Sequence, residues 1–171
     1  MSATVQDEHE ALVLRGRVWR IDVRGSSITA ASSYSYGVVT GDKELVIFNR
    51  KYSSTTPIMS ATLYETSFTG GATPQFANRR LSSTRPQPFT VAEGVVPGVL
   101  GSPIFSATIR AGVATGNAQA SFSDPLDQVI LKTNTSYVVQ MVNLGAATAD
   151  LDTSFDTCTT EPLLTFSDFG G

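Results

Sequence analysis

The stretch Gln128 to Phe155, QVILKTNTSYVVQMVNLGAATADLDTSF, limits the fold more than any other part of the chain. It reads as three strands separated by two turns. Val129-Ile130-Leu131 is a short apolar run, and Lys132 to Thr135 is a polar turn of residues that bond their own backbone. Ser136 to Asn143 contains Tyr137-Val138-Val139, an aromatic and β-branched cluster suited to a pleated surface. Leu144-Gly145 breaks that strand. From Ala147 to Phe155 apolar and polar positions then alternate, with Ala149, Leu151 and Phe155 on one face and Asp150, Asp152 and Asp156 on the other. A period of two marks a strand with one dry and one wet side. Strands this close in sequence read as a meander against which the rest of the chain must pack.

The rest supplies further strands. Leu12 to Val23 is the first, with Leu12 and Leu14 in one phase and Trp19, Ile21 and Val23 in the other. A bulge or bend at Gly16 would bring both sets to the core, leaving Arg20, Asp22 and Arg24 on the outer face. Arg24 to Ser27 reads as a turn, Ile28 to Val39 as one strand or two, and Leu45 to Phe48 as a central strand covered on both sides. Asn49 to Pro57 reads as a polar loop, and Ser60 to Glu65 as a strand with Ala61 and Leu63 inward. Between Thr69 and Ser102 glycine and proline are so dense that only short strands fit between loops. Loops of that length in a compact domain are usually functional surfaces. Strand pattern resumes from Ile104 to Arg110.

No stretch has a helical period with caps, and no spacing repeats. About eight to ten short strands between turns predict an all-β fold, an antiparallel β-sandwich of jelly-roll-like kind with long loops. Residues 11–160 form the expected domain. Residues 1–10 are an expected flexible N-terminal arm with Asp7, Glu8 and Glu10, and 161–171 an extended C-terminal tail. An immunoglobulin-like topology fits the same pattern, although its Cys-Trp-Cys spacing is missing.

A chain of 171 residues is long enough for one domain with its own core. Only 16% of residues are charged against the roughly 25% usual in globular proteins. The net charge of −3 gives no reason to expect nucleic acid, and no apolar run of about 20 residues spans a membrane. The N-terminus lacks the basic-then-apolar order of a leader, so synthesis in a cytoplasm is expected. Cys158 is the single cysteine and reads as an inert small residue near a strand end.

Chemistry is sparse. His9 is the only histidine and lies in the arm, which speaks against a nucleophile–imidazole pair. No phosphate-cradling glycine motif occurs, and Glu65 and Glu93 are isolated, so no enzyme and no cofactor are expected. The acidic row Asp150, Asp152 and Asp156 is the strongest candidate: carboxylates sharing a strand face repel, and calcium or arginines such as Arg20 and Arg24 would neutralise them. Asn134-Thr135-Ser136 matches a glycosylation sequon but reads as a turn. Asn78, Arg79, Arg80 and Arg85 form a short basic loop that could contact an acidic partner. Leu163, Leu164, Phe166 and Phe169 in the tail need a surface to cover them.

Several segments together resemble a family of small β-rich virion proteins of tailed bacteriophages. They are VVTGDKELVIFNRKY, SATLYETSFTGG, the Asn78-Arg79-Arg80-Leu81 loop and ILKTNTSYVVQMVNLGAATADLDTSF, within residues 35–156. The resemblance implies a capsid decoration or cement protein on the capsid exterior, bound to the major capsid protein and to itself as a dimer or trimer. The alternative is a tail- or fibre-associated carbohydrate-binding module with Tyr34, Tyr36, Tyr52 or Tyr64 as sugar platforms.

Overall fold

The computed structural model describes residues 16–56, 58–79, 82, 84, 86–110, 120–124 and 128–160. The expected arm and tail, with Arg80 and Arg85, lie outside the described residues. Thirteen strands follow in order: β1 Trp19–Ile28, β2 Ser33–Thr40, β3 Leu45–Ser54, β4 Ile58–Glu65, β5 Phe68–Thr69, β6 Gln75–Asn78, β7 Phe89–Glu93, β8 Val96–Pro97, β9 Phe105–Arg110, β10 Ala120–Asp124, β11 Val129–Leu131, β12 Ser136–Asn143 and β13 Ala149–Thr159. Among the described residues no helix is long and apolar enough to cross a membrane.

Two antiparallel sheets carry the fold. The first has the order β10-β3-β13-β1-β6, with β11 also on β3, and the second the order β7-β2-β12-β4-β9. With β5 to β8 set aside as an insert, the pairing is nested. β1 lies beside β13, β2 beside β12, β3 beside β10 and β11, and β4 beside β9. A long hairpin rolled into two facing sheets in this way is a jelly roll, and the immunoglobulin-like alternative falls away.

The expected meander is not one. β11 belongs to the first sheet, β12 to the second and β13 to the first again, so these consecutive strands pair with others. Polar side chains hold the two crossings between sheets. Thr40 Oγ1 donates to Lys132 O at 2.6 Å and accepts from Thr135 N at 2.9 Å. At the opposite end the buried Asn143 amide donates to Ile28 O at 2.9 Å and Ala147 O at 2.8 Å, while its Oδ1 accepts from Gly145 N at 2.9 Å. A buried amide with partners this complete specifies one path for the chain.

Two expected loops are strand. β1 runs through Arg24 to Ser27, with a register shift between Gly25 and Ile28, and the turn falls after it, where Ser32 N donates to Thr29 O at 3.1 Å. Asp150 Oδ1 accepts from Ser27 N at 3.0 Å, which holds the bulged residue against β13. β3 likewise continues past Phe48. Asn49 takes a left-handed φ of 48°, and the register against β13 shifts between Ser154 and Asp156. That bulge flips the phase, so Leu45 and Ile47 face the core before it and Arg50 and Tyr52 are buried after it.

Between the sheets, Trp19, Ile21, Val23, Leu151, Phe155, Tyr137 and Met141 belong to one buried cluster. Trp19 meets Phe89 edge-to-face at 5.8 Å, and Tyr36 stacks on Phe155 at 5.7 Å. Burying side chains of this size is worth about 1.5–3 kcal/mol each.

The insert between β4 and β9 does more than loop. β6 extends the first sheet beyond β1, and β7 extends the second beyond β2. The β5–β8 ribbon lies over the outer face of the second sheet. There the Phe68 ring covers Gly37 so closely that a Cβ at that glycine would sit 2.3 Å from it. On the same strand face, Ser35 and the wholly buried Val138 have no solvent access to speak of.

Candidate functional site

On the outer face of the first sheet the stretch from Arg20 to Arg24 is open to water. β1 alternates Arg20, Asp22 and Arg24 outward, and β13 brings Asp150, Asp152 and Ser154 alongside. Apart from Asp150, these side chains line an open groove of about 520 Å³ together with Lys51 and Ser53 of β3 and with Gln75 and Glu93 from the insert.

The groove pairs its own charges. Arg24 Nε donates to Asp152 Oδ1 at 2.9 Å, and the Arg24 N–H lies 3.4 Å from Glu93 Oε2. Arg20 donates to Ser154 Oγ at 2.8 Å and to Asp22 Oδ1 at 3.4 Å. Exposed pairs of this kind are worth at most about 1 kcal/mol each. From the core side Tyr34 packs its ring against Gly25 of β1, and burial, then the Glu93 charge, raises its phenol above the ordinary pKa. Such a surface offers donors and acceptors of both signs to a polar partner.

The acidic row does not converge. Asp150 accepts from Ser27 N and Asp152 pairs with Arg24, both in reach of water. Asp156, expected on the wet side, is 1% exposed. Its Oδ2 accepts from Asn49 Nδ2 at 3.0 Å, and Arg20 Nη1 stands 3.8 Å from Oδ1, which has no hydrogen bond. Three carboxylates thus take three separate partners. Among the described residues no group of three or more His, Cys, Asp or Glu side chains is placed to hold a metal ion.

Of the basic loop, Asn78 and Arg79 are described. Asn78 Nδ2 donates to Gly16 O at 2.8 Å and Arg79 N to Val18 O at 2.8 Å, so this part of the loop is tied to the chain entering β1. Gly16, where a bulge or bend is expected, has a left-handed φ of 66°, and Leu12 and Leu14 lie outside the described residues. Leu163, Leu164, Phe166 and Phe169 lie outside the described residues. Tyr36 and Tyr52 are core residues and cannot serve as sugar platforms, while Tyr34 and Tyr64 are half-buried. Cys158 is buried with Val18 and Phe48 on the far side of the first sheet, where burial pushes its thiol up to about 11.

Two features are not visible in the residue pattern. Arg50 is buried, with its guanidinium 4.5 Å from the centre of the Phe105 ring, a cation–π contact hidden by the misread loop. The other is an aliphatic ridge on the insert: Val96 is 65% exposed, Val99 92%, Leu100 37% and Ile104 51%. It is firmly held. Gly98 N donates to Ser67 O at 2.7 Å, Thr66 Oγ1 to Val99 O at 2.9 Å, and Ile104 N to Leu63 O at 2.8 Å. The signal for it was the uncharged run Gly94 to Ile109, where proline and glycine drew attention from the valines.

No family model matches the chain, and no curated protein does. Among solved structures it is similar to the Yersinia pseudotuberculosis-derived mitogen, at 10% identity and a TM-score of 0.34 over 87% of this chain and 92% of that one. It is also similar to the structure of desmodium yellow mottle tymovirus, at 8% identity and a TM-score of 0.29 over 87% and 89% of the two chains. A virus-like particle of Macrobrachium rosenbergii extra small virus gives 11% identity and 0.25 over 83% and 77%. Scores this low carry no argument about what the chain does.

Proposed function

We propose that this chain is a virion structural protein, a decoration or cement protein that binds the outer surface of an assembled phage capsid and bridges neighbouring subunits of the major capsid protein. The observation that carries the reading is the ridge Val96, Val99, Leu100 and Ile104, bare aliphatic side chains fixed on the insert of a rigid jelly roll. An exposed apolar patch held in place is a surface for another macromolecule rather than for a small molecule. The paired charges of the groove add a second surface, polar and of mixed sign, of the kind that sets partner choice and register more than affinity. Jelly rolls recur in viral capsid and lectin domains, so the fold accommodates the reading without requiring it.

Copy number tests it. Quantitative mass spectrometry of purified particles is expected to give one copy per major capsid subunit or a simple fraction of that. A handful of copies per particle would replace the reading with a tail or fibre module, and absence from particles would end it.

A further inference from the structure

The groove on the first sheet spends its charges unevenly. Its carboxylates are engaged: Asp152 accepts from Arg24 Nε, and Asp22 lies 3.4 Å from Arg20 Nε. Its cations are less so. Arg24 uses Nε on Asp152 and keeps both terminal nitrogens of a side chain that is 77% exposed. Among the described residues Lys51 has no ion pair and no side-chain hydrogen bond. Donors without acceptors therefore face the groove, and what they lack is an acceptor carrying negative charge.

The strand registers set where these donors stand. Arg24, Asp152 and Ser53 form one row across β1, β13 and β3, and Asp22, Ser154 and Lys51 form the next. Gln75 of β6 extends the second row beyond Asp22. With neighbouring strands about 4.8 Å apart, the row from Gln75 to Lys51 is about 14 Å long, the span of about four residues of extended chain.

The surroundings narrow the ligand. A phosphate or a nucleic acid would bring multiple negative charge up to Asp22, Asp152 and Glu93. A single carboxylate brings one charge, and its two oxygens match the two terminal nitrogens of Arg24. Among the described residues no aromatic ring lines the groove for a sugar to stack on. A small free acid would find too little enclosure in an open groove, because such ligands bury most of their surface when bound. The groove and the aliphatic ridge also lie on the outer faces of different sheets, so one flat surface cannot meet both. With the ridge docked, the groove is reached by a segment that projects from its own surface.

We propose that the groove takes an extended peptide segment bearing a carboxylate side chain, seated on Arg24 and Lys51 and projecting from a capsid subunit beside the one that the ridge covers. Ownership of the segment by a capsid subunit rests on the reading above, whereas its chemistry rests on the groove alone.

The test titrates the isolated full chain, followed residue by residue by NMR at low salt, with a short capped peptide alternating threonine and glutamate. The comparison probes are the same peptide with glutamine or lysine in place of glutamate, and inorganic phosphate. The acidic peptide is expected to move the Arg24, Lys51, Ser53 and Asp152 amides and to bind about fivefold more tightly than the glutamine peptide. Lys51→Gln should remove most of that difference, and Lys51→Glu should reverse it in favour of the lysine peptide. Both variants should keep the parent melting temperature, because Lys51 has no partner among the described residues to lose. Equal binding of the acidic and glutamine peptides, unmoved groove amides, or a preference that survives both Lys51 changes would overturn the proposal. So would phosphate that matches the acidic peptide, or a melting temperature that falls in both variants. All of these outcomes leave the particle copy number free to come out either way. Absence of the protein from particles would instead remove the capsid subunit as owner and leave the peptide result standing.

Discussion

On the outer face of the first sheet Arg24 meets Asp152 in the open, while the outer face of the second is roofed by Phe68 and the ribbon that carries it. One face meets water with charge and holds itself together loosely. The other face is buried, and hands its exposure on to the ridge one layer out. A jelly roll has two outer faces to finish, and this chain solves them with different chemistry: ion pairs supplied by β1 and β13, and an insert of nearly forty residues (66–104) supplied between β4 and β9. Stability is therefore expected to respond very differently to changes on the two sides.

Asp156 is the place where the contrast is most exposed to failure, because it is a buried carboxylate on the charged side. Asp156→Ala is expected to cost about 2–4 kcal/mol in urea unfolding, since it strands Asn49 and leaves Arg20 beside a hole. A loss below about 0.5 kcal/mol would put Asp156 with the exposed pairs. On the roofed side, Gly37→Val should cost about 1–3 kcal/mol by lifting Phe68. Combining it with Phe68→Ala should cost less than the sum of the two single changes, because the first clash then has room. Strict additivity would mean that the ribbon does not bear on Gly37. Smallest of all, Asp150→Asn with Asp152→Asn should lower stability by less than about 1 kcal/mol, and 1 M salt should shrink the difference. Repulsion within the acidic row would give the opposite sign, so a gain in melting temperature would show that the pairing with Arg24 is not formed in solution.

Alternation was readable wherever one face is wet. Trp19, Ile21 and Val23 against Arg20, Asp22 and Arg24 gave β1 its two faces, although the strand runs from Trp19 to Ile28 rather than from Leu12 to Val23, and Ala61 and Leu63 gave β4 its inward face. It failed where a bulge changes phase. Gly25-Ser26-Ser27 has the composition of a turn, yet the strand crosses it, because Asp150 holds Ser27 in place. Asn49 opens what looks like a polar loop, but its left-handed φ lets β3 continue and turns Arg50 and Tyr52 inward. Sheet membership was out of reach for a further reason. Val129 to Phe155 fits a meander and a pair of crossings equally well locally, and only contacts with β1 to β4 decide between them. The acidic row was visible as residues but not as a site, since the separate partners of Asp150, Asp152 and Asp156 come from distant strands.

The nested pairing sets the order in which the molecule can assemble. Trp19 stands opposite Thr157, so β1 waits for nearly every later strand before its main partner exists. During synthesis β1 can meet only β6, with Trp19 opposite Asn78, while the β4–β9 pair closes with Leu63 opposite Phe105 and Ile58 opposite Arg110, both long before β13 is made. Folds dominated by such distant contacts acquire their structure slowly, and their partly formed sheets present open edges to other chains in the meantime. β13, the last of these strands to be made, is the one that joins β1 to β3 and so completes the first sheet.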